Sequence, residues 1–258
     1  MTTSSVLSEI SMSFISVLIF GLLAGSLIGL AGIGGVILVP LLVYAGGVDI
    51  HLSIAASVAS FFVSGVIGSF VYSKRGVINW AQLLFLSIGA MPGALISGLF
   101  LPKVDDEILK LFLAVILIGT SYKHFAGIQF QSSKNISVIS NNKLIVVGFI
   151  TGIASVLSGT GGPLVLVPIL TFLSVPLIAV IGLSQAIQIP IALFASIGNA
   201  IVDLMDWPLV MQLSAGLAVG TFLGAKFSEF LPTEKIRNLV AALLLGSGVY
   251  IVASLFIF

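Results

Sequence analysis

Two stretches decide the fold: Gly29-Leu30-Ala31-Gly32-Ile33-Gly34-Gly35-Val36 and Val156-Leu157-Ser158-Gly159-Thr160-Gly161-Gly162-Pro163. Each sets a run of glycines inside apolar sequence. Glycine is about 1 kcal/mol worse than alanine in a helix interior, so such dense runs break a helix. The chain around them is 59% hydrophobic and 7% charged, where a soluble domain carries roughly 25% charged residues. Apolar runs long enough to cross a bilayer recur from Ser11 to Phe258, without the alternation of a membrane barrel. The expectation is an all-α polytopic membrane protein. At membrane depth a broken helix must be buried in protein or line a water-filled cavity. Two breaks at matching places in two halves of one chain point to a transporter's binding site.

The matching is explicit. The second half repeats the first with a shift of 127 residues, as from Gly21 to Gly148. Gly25 then falls on Gly152, and Gly32, Gly34 and Gly35 on Gly159, Gly161 and Gly162. Ser57 falls on Ser184, Trp80 on Trp207, and Gly89 and Gly93 on Gly216 and Gly220. Leu-Val-Pro40 meets Leu-Val-Pro168 after a one-residue slip, and Leu101-Pro102 meets Leu231-Pro232 after a small insertion. Expected spans are 12–31, 36–46, 51–72, 78–101 and 107–124, then 143–158, 164–173, 177–202, 207–226 and 236–256. The domain reading is a first membrane repeat over 1–124, a polar cytoplasmic linker over 125–142 and a second repeat over 143–258. Segments 36–46 and 164–173 reach only about 16 Å at 1.5 Å per residue, roughly half a 30 Å hydrocarbon core.

Charge chooses the topology. If the breaks only kink long helices, each half has four spans and the Lys and Arg residues divide evenly. If the chain reverses at each break, Lys74, Arg75, Lys123, Lys134, Lys143, Lys226, Lys235 and Arg237 share one side, and only Lys103 and Lys110 lie opposite. That asymmetry is the one the positive-inside rule expects. Five segments per half follow, with inverted repeats, the linker in the cytoplasm and both termini outside the cytoplasmic membrane. Glu9 is the only charge before the first apolar run, so that run reads as a retained helix and not a signal peptide. With no cysteine, disulfides and thiolate metal sites are excluded. A net charge of +1, with no basic patch carrying interleaved aromatics, offers nothing to nucleic acid.

At these residues the chain resembles a known family. The doubled glycine break, Ala56-Ser57 and Leu183-Ser184 opening the next spans, Gly76-Val77-Ile78-Asn79-Trp80 and Gly89…Gly93…Leu101-Pro102 are similar to the sulfite exporter TauE/SafE family over about residues 12–256. Resemblance implies a transporter of sulfite, sulfonates or other small sulfur-containing or organic anions, with two repeated halves. One departure stands: the family often carries Thr-Ser where this chain has Ala56-Ser57 and Leu183-Ser184.

The residues themselves argue for an anion. No span carries a charge at its centre, where a cation site would show an intramembrane carboxylate. A helix N-terminus carries roughly +0.5 of an elementary charge, so two of them converging at Gly34-Gly35 and Gly161-Gly162 supply about one positive charge without Lys or Arg. Pro163 fits a first helical position. The candidate substrate-binding residues are Gly32, Gly34, Gly35, Ser57, Gly159, Thr160, Gly161, Gly162, Ser184, Gln185 and Gln188, with Ser60, Ser158 and Asn199 as further donors.

Blander readings apply elsewhere. Gly89, Gly93, Gly216 and Gly220 read as close-packing contacts, Trp80 and Trp207 as interface anchors, and Ser60 as bonded back to its own helix. His51 and His124 sit at segment ends with no second metal ligand in range. No nucleophile–base pair, metal site, cofactor motif or nucleotide loop is present, so catalysis and direct ATP drive are not expected. The expected activity is secondary transport of a small oxyanion by alternating access of the two repeats. A passive anion channel on the same scaffold is the alternative. The expected partners are the anionic substrate and the bilayer, and a homodimer is compatible with the reading.

Overall fold

The computed structural model describes residues 14–31, 35–125, 139–173, 175–227, and 242, 245, 246 and 248–253 near the C-terminus. Regular structure among the described residues is helical throughout. The elements are α1 Phe14–Ala31, α2 Gly35–Pro40 with a π-helical turn Leu41–Ala45, and α3 Ile50–Lys74. Next come α4 Trp80–Phe100 with a 3₁₀ turn Leu101–Lys103, and α5 Asp106–Phe125. The second half supplies α6 Asn141–Leu157, α7 Pro163–Phe172, α8 Leu177–Ile201 and α9 Trp207–Phe227. Nine expected spans appear within three residues of their expected ends. The tenth, 236–256, lies largely outside the described residues, of which 248–253 are helical. Most of the linker also lies outside them. Among the described residues four helices are long and apolar enough to cross a membrane, at Ile50–Lys74, Trp80–Lys103, Ala179–Ile201 and Trp207–Phe227.

Local chemistry sets the boundaries. Asp49 caps α3, its Oδ1 accepting from His51 N at 2.9 Å and Leu52 N at 3.1 Å. Asn79 caps α4 by accepting from Gln82 N at 3.1 Å, and its repeat equivalent Asp206 accepts from Leu209 N at 3.0 Å at the start of α9. Pro40 lacks an N–H and crowds the preceding turn, and the helix continues past it as a π turn closed by Gly46 N donating to Leu41 O at 2.9 Å. Trp80 and Trp207 open α4 and α9 with 59% and 51% of their surface exposed, as interfacial anchors would.

The two halves interlock by exchange. The first helix of each half packs on the fourth helix of the other, and glycines make the approach close. A Cβ at Gly21 of α1 would stand 2.6 Å from Leu213 O of α9; one at Gly148 of α6 would overlap Leu86 O of α4. Gly25 likewise meets Leu217 O at 2.7 Å, and Gly152 meets Ala90 O. Returning the contact, Gly89 meets Ile145 O and Gly216 meets Leu18 O; Gly93 meets Phe149 O at 2.5 Å and Gly220 meets Leu22 O. Every pair maps onto its counterpart by the shift of 127 residues. Small faces let the backbones touch, which is how helices associate where lipid supplies no hydrophobic drive.

At the centre α3 and α8, which are repeat equivalents, cross in opposite directions. Gly65 of α3 meets Gln188 and Ile189 of α8, and Gly68 meets Gln185. Helix ends sort into two groups. Arg75, after α3, donates to Ala225 O near the end of α9 at 3.1 Å. At the other end His51 of α3 meets Val104 O beside α5, while Val48 and Leu52 pack against the buried cluster that includes Leu209 of α9.

Candidate functional site

The second glycine break is fully described. α6 is closed by Ser158 N donating to Ala154 O, Gly159 N to Val156 O and Thr160 N to Ser155 O, at 3.1, 3.0 and 3.0 Å. The chain then turns with φ of 62° at Gly159, 74° at Gly161 and 118° at Gly162. These are left-handed values that cost a residue with a Cβ about 1–2 kcal/mol each, so glycine is what lets α7 restart within a few residues. Helical bonding resumes at Gly162 O, which accepts from Leu166 N at 2.9 Å and Val165 N at 3.2 Å. The N–H groups of Gly161, Gly162 and Leu164 are left outside the ladder. Pro163 occupies the first helical position, as its missing N–H requires.

The first break comes to the same place. Gly32 and Gly34 lie outside the described residues. Gly35 does not: a Cβ there would stand 2.8 Å from Thr160 O and 2.9 Å from Phe61 Cζ. The same ring covers Gly161, with Cγ 3.0 Å and Cε2 3.1 Å from the Cβ position. Phe61 is fully buried and lies eleven residues into the 25-residue α3, so both breaks meet near mid-helix, with one aromatic ring between them. Sequence reasoning missed Phe61. Its repeat equivalent is Gln188, so the pattern that matched the serines did not match here.

The proposed donors separate into two kinds. Ser57 and Ser184 are 0% exposed and their hydroxyls have no hydrogen-bond partner. Helical spacing aims them. Ile54 meets Gly159 and Phe61 meets Gly161, and Ser57 lies between them on that face of α3. Ile187 and Ile191 meet Gly162, and Ser184 shares their face of α8. Ser155 Oγ, also unpartnered, stands 4.0 Å from the Cβ position of Gly162. By contrast Ser60 donates to Ala56 O at 2.7 Å and Val210 O at 3.2 Å, the back-bonding read from sequence. Ser158 donates to Ala154 O and shares a 2.8 Å hydrogen bond with Thr160 Oγ1. Asn199 is buried with neither amide atom partnered, but it packs beside Gly98 of α4, away from the breaks.

Gln185 and Gln188 bond to the protein. Gln188 accepts from Ser64 Oγ at 3.3 Å and donates to Gln185 Oε1 at 3.4 Å; Gln185 donates to Ile28 O at 3.4 Å. These long bonds tie α3, α8 and the end of α1 together just before the first break. Every buried polar side chain among the described residues is neutral. The site therefore offers N–H and O–H donors without a fixed ion, a composition that favours an anion and disfavours a cation.

A second cluster corrects the reading of His51. Its Nδ1 lies 3.3 Å from Asp106 Oδ1 and 3.7 Å from Asp49 Oδ1, and its Nε2 lies 2.8 Å from Val104 O. Ligand atoms in range do exist, because the fold returns the start of α5 to the start of α3. Both carboxylates are more than half exposed, so the cluster is first an inter-helix tie of modest strength.

A family model described as sulfite exporter TauE/SafE matches residues 17–251. A probable membrane transporter protein of Methanocaldococcus jannaschii is 26% identical, over 90% of this chain and 93% of its own length. The probable membrane transporter protein YjnA of Bacillus subtilis is 22% identical over 92% of this chain and 99% of its own. One from Haemophilus influenzae is 31% identical over 65% of this chain and 66% of its own length. No solved structure matches the chain.

Proposed function

This chain belongs to the sulfite exporter TauE/SafE family and is a multi-pass membrane transporter, and on that premise we propose that it carries a small oxyanion, with the glycine breaks as its binding site. Sulfite, a sulfonate or a related sulfur-containing or organic anion is the cargo class. The single observation that carries the reading is the pair Ser57 and Ser184. A hydroxyl buried without a partner costs about 1–3 kcal/mol. Two of them, equivalent by the repeat and both facing the break, are placed for an acceptor that binds and leaves. The N–H groups that open α7, and the Gly35 backbone against Thr160, complete a cradle for oxygen atoms. Weak neutral donors suit a carrier, which must also release its cargo.

The mechanism that fits is alternating access of two inverted repeats in the cytoplasmic membrane. Three observations support it: the exchange of first and fourth helices between the halves, the opposite course of α3 and α8, and the sorting of Arg75 and α9's last turn to one end. On the positive-inside reading that end is cytoplasmic and both termini are outside. Phe61, seated between the breaks, speaks for a carrier over an open pore. Flux in proteoliposomes tests the proposal, with sulfite, thiosulfate, sulfonates and small carboxylates supplied one at a time. At least one should give saturable flux accelerated by the same anion on the far side. Flux linear in concentration for every anion would sink the carrier, and no flux for any of them would sink the cargo class.

A further inference from the structure

The two unpartnered serines do not stand at one level. α3 and α8 have 25 residues each, and Ser57 and Ser184 are each the eighth. The helices run in opposite directions, so the two hydroxyls lie toward opposite ends. Side-chain contacts fix the register. The Cβ position of Gly65 is 2.9 Å from Gln188 Cβ, and that of Gly68 is 3.1 Å from Gln185 Cβ. One residue further on, Ser184 comes level with Ser69, and Ser69 lies twelve residues along α3 from Ser57. At 1.5 Å per residue that is about 18 Å. Hydrogen bonds of about 2.8 Å on either side of an ion a few ångströms across span only about 8 Å. One small oxyanion therefore cannot touch both serines at once. Two more buried hydroxyls without a partner, those of Ser155 and Ser69, sort with the same two levels. Ser155 lies beside the second break, as Ser57 does. Ser69 follows Gly65 by one turn and Ser184 precedes Gln188 by one turn. Gly65 and Gln188 meet, and the helices are antiparallel, so Ser69 and Ser184 share the facing sides of α3 and α8. Phe61 stands between the levels, one turn from Ser57, with its ring against Gly35 and Gly161.

We propose that the oxyanion has two stations in series. One is Ser57 with Ser155 and the N–H groups that open α7, entered from the end that carries Asp49. The other is Ser69 with Ser184, entered from the end that carries Lys74 and Arg75. Phe61 is the partition between them. Each station offers a pair of hydroxyls that the protein leaves without a partner, and such groups are costly to bury unless something else bonds to them. This rests on the carrier reading above and divides its site into two that the anion visits in turn. An ion crosses from one to the other when the ring swings aside.

The chain has no cysteine, so single cysteines report cleanly. Ser57→Cys and Ser184→Cys are labelled in right-side-out and in inside-out membrane vesicles with impermeant, anionic 2-sulfonatoethyl methanethiosulfonate. Each should react at least about tenfold faster from one face, and the preferred faces should be opposite, because the reagent's charge must otherwise pass a buried ring. Ser69→Cys should follow Ser184→Cys, and it decides the matter if Ser184→Cys fails to insert. In a Phe61→Ala background the preference should fall below about threefold at both stations, since the barrier to crossing is lowered. Labelling of both positions from the same face would overturn the proposal. So would a face preference that Phe61→Ala leaves unchanged, or no reaction from either face in either background, since a station must admit a small sulfonate. Labelling needs no cargo. Opposite faces without flux of any anion would keep the stations and lose the oxyanion carrier; saturable flux with both cysteines open to one face would keep the carrier and lose the stations.

Discussion

Gly161→Ala probes the meeting of the two breaks. Its magnitude has two parts. The left-handed φ of 74° costs an alanine about 1–2 kcal/mol. The new methyl also enters the Phe61 ring, whose Cγ and Cε2 lie 3.0 and 3.1 Å from the Cβ position with Cδ2 closer still. Overpacking of this kind costs about 1–3 kcal/mol. The total is about 2–5 kcal/mol, a large share of the 5–15 kcal/mol that holds a typical domain together. Phe61→Leu separates the parts, because a smaller side chain removes the overlap and leaves φ alone. The double variant should therefore be more stable than the sum of the singles by about 1–3 kcal/mol. Denaturation titrations in mixed micelles measure all four corners of the cycle. Gly35→Ala is the internal control: its methyl meets backbone Thr160 O at 2.8 Å as well as Phe61 Cζ at 2.9 Å, and backbone does not yield. Phe61→Leu should rescue it less. Additivity of Gly161→Ala and Phe61→Leu within about 0.5 kcal/mol would refute the seating of the ring on the second break, and with it the convergence.

Other outcomes follow from the same geometry. Ser57→Ala and Ser184→Ala each remove an unpartnered hydroxyl, so ligand-free stability should stay level or rise, while anion affinity falls roughly ten- to hundredfold, the worth of a hydrogen bond to a charged group. Ser60→Ala should do the reverse, losing about 1 kcal/mol of stability with affinity unchanged; flux saturation curves and melting midpoints together distinguish these patterns. Gly89→Ala and Gly216→Ala occupy equivalent contacts with Ile145 O and Leu18 O, so each should destabilise by about 1–3 kcal/mol, and a large inequality in their melting shifts would count against the exchange of helices. In intact cells, a cysteine at Ser133 should resist an impermeant thiol reagent and one at Gly47 should react. The opposite pattern would invert the orientation.

What the sequence determined by itself was the part carried by local backbone chemistry. Glycine runs break helices, proline starts or distorts them, and Asp49, Asn79 and Asp206 cap them wherever they fall. Because those effects act within a turn of the residue that causes them, the repeat, the span boundaries and the short helices could be read in order along the chain. Partnership could not. Ser57 and Ser60 lie three residues apart on one helix, yet only packing against α9 gives Ser60 the carbonyl of Val210 and leaves Ser57 without one. Gln185 and Gln188 read as cavity donors but spend their hydrogen bonds on Ser64, on Ile28 O and on each other. Phe61 broke the repeat's register and was invisible until the fold laid it over Gly35 and Gly161. His51 found Asp106 only because α5 returns to the head of α3. Apart from the bond between Gln185 and Gln188, each of these contacts joins residues dozens to more than a hundred positions apart, and a buried polar group is satisfied or orphaned by whichever helix arrives opposite it. That arrival is a property of tertiary packing, which no local pattern of residues contains.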